Sequence, residues 1–157
     1  MTMTIEELLQ SGIDQARRVL IGVKDAELMP TFVVQFKDRP AAIIGAPWAN
    51  DRDKYATTEA VRLAMKTHRD SVISYLFWSE AWRAHESIDH PIGLAPRDRE
   101  DREEVVMINA FDKQGGKMVS LLIERGPDGV VTDLVKDKNE DSYANFEGRL
   151  YNLLRDD

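Results

Sequence analysis

The chain contains no cysteine, and that one absence removes thiol nucleophiles, disulfides and thiolate zinc sites together. Basic charge is also short. Aspartate and glutamate number 28 against 21 lysines and arginines, a formal charge of −7, so the phosphates of a duplex are repelled and nucleic acid is disfavoured as a partner. No apolar run approaches the roughly 20 residues needed to span a bilayer. The opening MTMTIEELLQ lacks the basic region and apolar core of a signal peptide, so the chain reads as cytoplasmic, with no membrane association. Internal repeats and low-complexity segments are missing as well.

What is present suits one globular domain over 1–157, with 43% hydrophobic and 31% charged residues. Thr4 and Glu7 stand in capping-box spacing, with Met3 and Leu8 placed as a hydrophobic staple, which predicts a helix from about Ile5. Its apolar stripe is Ile5, Leu8, Leu9, Ile13, Ala16, Val19 and Leu20. TFVVQF, from Thr31 to Phe36, has the β-branched and aromatic content of a strand, and Ala41 to Ile44 can return beside it as a hairpin. Asn50 or Asp51 can cap a second helix of about Lys54 to Arg69, whose inner face reads as Ala56, Ala60, Leu63, Ala64 and Thr67. Val72 to Ala84 begins apolar on both faces and alternates later, the pattern of a central strand. Two further strands, Val105 to Phe111 and Met118 to Ile123, flank a Gly-Gly turn, and Gly126-Pro127-Asp128-Gly129 leads into Val130 to Val135. Ser142 or Asp141 can cap a last helix bearing Tyr143, Phe146, Leu150, Leu153 and Leu154. The expectation is an α+β fold: an antiparallel sheet of five or six strands in the order α-β-β-α-β-β-β-β-α, with helices packed on the sheet.

Met29-Pro30, Ser79-Glu80-Ala81-Trp82, and Pro96 followed by Asp101-Arg102-Glu103-Glu104-Val105-Val106-Met107-Ile108 resemble a family of small uncharacterised α+β proteins of bacteria and their phages. The resemblance covers most of the chain. It implies a single compact domain and carries over no catalytic residue.

Few residues are arranged for chemistry. Strand alternation puts Glu80 on a face with Trp78 and Trp82, whose rings could desolvate the carboxyl and raise its pKa, making it a candidate general acid with His85 as helper. The plainer reading pairs Glu80 with an arginine of the 97–102 segment. His85-Glu86-Ser87-Ile88-Asp89-His90 imitates a zinc helix, but Asp89 stands where the second histidine is needed, so no metal site is expected. Gly115-Gly116-Lys117 lacks the earlier glycine and following hydroxyl of a phosphate loop, and no Gly-x-Ser-x-Gly elbow exists. No cofactor is implied. Trp48, after a proline, and Arg97, Arg99 and Arg102, in a run of mixed charge, could form with Trp78 and Trp82 a docking surface. Two functions follow: an interaction or regulatory protein that binds another protein or itself through a sheet edge, or an acid-base enzyme such as a hydrolase built on Glu80 and His85.

Overall fold

The computed structural model describes residues 2–47, 50–83, 103–136, 141–143 and 153–154. Helix α1 spans Ile5–Leu20, and its start has the expected capping box: Glu7 N–H donates to Thr4 Oγ1 at 3.1 Å while Thr4 N–H donates to Glu7 Oε1 at 3.1 Å. Leu8, Leu9, Ile13, Ala16 and Leu20 are buried, and Ile5, Val19 and Met3 pack against the same cluster. Gly12 allows the helix to lie close on the sheet, since a Cβ there would come within 2.8 Å of Ile108 Cγ2.

The strands are β1 (Thr31–Phe36), β2 (Ala42–Gly45), β3 (Val72–Arg83), β4 (Glu103–Asp112), β5 (Gly116–Arg125), β6 (Val131–Lys136) and β7 (Asp141–Tyr143), with α2 (Asp51–Thr67) between β2 and β3. All pairings are antiparallel, and the sheet runs β2-β1-β3-β4-β5-β6. Short β7 pairs with the start of β5 while β6 pairs with its end. The α+β class and the six-strand antiparallel path therefore match the sequence reading, with β3 internal. Residues 141–143 differ from expectation: they are strand, where the sequence reads helix caps. Residues 144–152 of the expected last helix lie outside the described residues, although Leu154 is buried in the core.

Alternation along β3 serves two cores. Leu76 and Trp78 point to α1 and join Val106, Ile108, Val119, Leu121 and Leu134; Tyr75 and Phe77 point the other way, among Phe32, Phe111, Met65 and Leu154. Burial on both faces is why Tyr75 to Trp78 form an unbroken apolar run. A buried polar pin joins the α1 side. Gln35 Nε2 donates to Ser74 Oγ at 2.6 Å and to Met3 O at 3.2 Å, and Gln35 Oε1 accepts from Met3 N–H at 3.0 Å.

Helix α2 corrects the sequence reading of its face. Thr58 and Met65 are buried and Val61 packs beside them, whereas Ala56, Ala60, Leu63, Ala64 and Thr67 are exposed, Leu63 to 67%. Both stripes satisfy the helical period, and the sheet beneath, paved with Phe32, Tyr75 and Phe77, selects the one carrying flexible methionine.

Candidate functional site

Glu80 lies near the end of β3 opposite Val106, one pair from Ala81 and Val105. Glu104, two positions before Val106, stands on the same face, and at the end of β5 Arg125 reaches it. The contact is a fork: Arg125 Nε donates to Glu104 Oε2 at 2.8 Å and Nη2 to Oε1 at 3.4 Å. Two more guanidinium hydrogens go to carbonyls, Nη1 donating to Gly129 O at 3.2 Å and Nη2 to Ala26 O at 3.3 Å. Arg125 thereby joins β4, the β5–β6 turn and the segment between α1 and β1. Its hydrogen bond to Glu104 raises its pKa further, so it stays charged.

That α1–β1 segment crosses the sheet end and is fastened a second time, Leu28 N–H donating to Glu80 Oε1 at 2.7 Å. Its path needs two residues in the left-handed region, Gly22 at φ 82° and Asp25 at φ 52°, a conformation that aspartate tolerates better than most. Between the segment and the sheet is an open cleft of about 490 Å³, lined by Asp25, Glu27, Glu80, Glu104, Ile123 and Arg125 among others. Burial pushes the Glu80 carboxyl above the ordinary glutamate range, with Glu104 and Glu27 adding to the rise, while the Leu28 hydrogen bond and Arg125 oppose it.

The geometry sorts the sequence candidates. Glu80 is in the cleft. Trp78 is buried at 8% exposure within the α1-side core, so it offers no docking surface; its Nε1 has no partner among the described residues. Trp82 lies in β3 opposite Glu104, and its side chain, with Trp48, His85, Arg97, Arg99 and Arg102, lies outside the described residues. Arg125 is the residue that sequence reasoning missed. It sits in no motif, and its partners come from positions 21 and 99 residues away in the chain. Among the described residues no group of three or more metal-ligating side chains is placed to hold an ion, and no helix is long and apolar enough to cross a membrane.

Chemically, the described part of the cleft is a clamp. Glu80 holds backbone and Glu104 and Arg125 hold each other, so these three charges fasten the loop to the sheet.

A different surface is open. β2 ends the sheet, and Ile43 and Ile44 are 75% and 44% exposed, with Met29 beside them at 53%. The chain matches no protein-family model, no curated protein and no solved structure.

Proposed function

We propose that this is a small interaction or regulatory protein of the cytoplasm that binds another polypeptide chain through the β2 edge. The observation that carries the reading is the pair of exposed isoleucines on a terminal strand, since an uncovered sheet edge with apolar side chains invites an added strand. The clamp at Glu80 supports it from the other direction: the carboxyl holds Leu28 N–H and the nearby guanidinium is occupied by Glu104 and two carbonyls. Tagged protein incubated with extract of its native host tests the reading. Wild type and Glu80→Gln should retain the same bound protein and Ile43→Lys should lose it; equal retention by Ile43→Lys would refute the edge as the binding surface.

The acid-base alternative rests on one observation, the raised Glu80 pKa beside a cleft. On that reading Glu80 donates the proton and His85 assists. It predicts that Glu80→Gln abolishes a hydrolytic activity while Ile43→Lys leaves it intact.

A further inference from the structure

The two ends of the sheet are treated differently. At β6 the chain following α1 covers the edge: Ile21 bridges Val131 in parallel, Gly22 N–H donates to Val131 O at 2.9 Å, and Lys24 bridges Val130. Further along, Arg17 Nη2 donates to Leu134 O at 2.8 Å and pairs with Asp133 at 3.5 Å. These are the usual devices that stop a strand edge from recruiting another chain.

β2 has no such cover among the described residues. Ala46 N–H donates to Pro30 O at 2.8 Å, which sets the phase of the β1–β2 ladder: Ala46, Ile44 and Ala42 turn their backbone groups toward β1. Ile43 and Gly45 therefore point N–H and C=O outward. No charged residue lies in Ala42–Gly45, and the exposed isoleucines project to opposite faces of the sheet.

Resting on the edge-binding reading above, we propose that the partner is a second copy of this chain, with β2 pairing antiparallel to β2 across a two-fold axis. The strand is complementary to itself. When Ile43 of one copy faces Gly45 of the other, the two residues exchange both backbone hydrogen bonds, and the symmetric pair does the same. Ile44 then meets Ile44 of the second copy at the axis, in the closer, non-hydrogen-bonded type of pair. Ile43 lies over a glycine, beside Met29, which already occupies the space where a Gly45 Cβ would be, 2.9 Å from Met29 Sδ. An uncharged strand brings no like charges face to face. Pro40 and Pro47, which lack amide hydrogens, bound the pairing on either side. A β2-to-β2 pair about a two-fold axis uses the same edge on both copies, so assembly closes at two copies and does not grow into a filament. The −7 charge of each chain opposes the approach, so added salt strengthens the pair.

Light scattering on purified protein should give a dimer mass for wild type and a monomer mass for Ile43→Lys, whose side chain is exposed enough for folding to survive, as circular dichroism would verify. The cysteine-free background allows a direct probe of register. Under mild oxidation Ile44→Cys should form a disulfide-linked dimer, because the paired positions fall within disulfide reach, and Lys113→Cys in the β4–β5 turn should not. The proposal is overturned if Ile44→Cys cross-links no better than Lys113→Cys, or if Leu63→Glu on the exposed face of α2 dissolves the dimer and Ile43→Lys does not. A monomeric wild type whose host-protein capture is lost in Ile43→Lys overturns self-pairing and leaves edge binding standing; a monomer with capture unchanged removes both.

Discussion

Glu80 illustrates how one carboxyl can look catalytic and act as a fastener. Its folded pKa is raised, chiefly by burial, so between the ordinary glutamate value and the raised one the folded protein holds a proton that the unfolded chain has released. The stability contributed by this group is thus fully present below the ordinary range and is lost as pH rises through the folded pKa. Glu80→Gln keeps an oxygen for Leu28 N–H and deletes the desolvated charge. We expect it to flatten that stretch of the stability-versus-pH curve and to leave neutral-pH stability equal to wild type or slightly above. Glu80→Ala, which strands a partly buried N–H, should cost about 1–3 kcal/mol in urea unfolding at neutral pH. A Gln variant that unfolds as easily as the Ala variant would show that the charge itself holds the loop. The sequence reveals Glu80, because strand alternation beside Trp78 is a local pattern. It hides Arg125, because the fork to Glu104 exists only once β4 and β5 are paired and the α1–β1 segment has crossed them.

The elements were legible to different depths. β1 reads directly from TFVVQF, and β3 from its two-sided apolar start, since burial on both faces leaves a continuous run. The face of α2 does not read out, because two stripes share one period and a distant set of aromatics chooses between them. β7 is three residues of polar sequence, and Asp141 and Ser142 suit a helix cap as well as a strand. The two helices should consequently differ in security. α1 buries six residues on the sheet, whereas the described buried residues of α2 are Thr58 and Met65. Amide exchange should rank Leu76 to Trp78 slowest, α1 next and α2 well faster, and Met65→Ala should lower stability by about 2 kcal/mol. Protection of α2 equal to that of α1 would mean that it is held by more than this stripe.

Taken as one object, the protein has its class and strand order written in local hydrophobic periods, while its exposed β2 edge and its clamp are products of tertiary assembly. β3 makes that assembly possible, since its alternate side chains fill both cores and its two neighbours come from opposite directions along the chain. One neighbour is the nearer in sequence: β4 follows β3 after residues 84–102 and opens the β4-β5-β6 meander through the Asp112 to Gly116 and Gly126 to Gly129 turns. The other is remote, because α2 intervenes, and register partners such as Gln35 and Ser74 are 39 residues apart. Among neighbouring strands of the β2-β1-β3-β4-β5-β6 path, joining β1 to β3 closes the longest connection and so carries the largest loop-closure entropy, which places the kinetic bottleneck of sheet formation there. The stacked rings of Phe32 and Phe77, 4.5 Å between centroids, span that junction. Phe77→Leu should slow refolding in stopped-flow mixing more than it speeds unfolding, while Met65→Ala, on a helix that settles after the strands join, should chiefly accelerate unfolding.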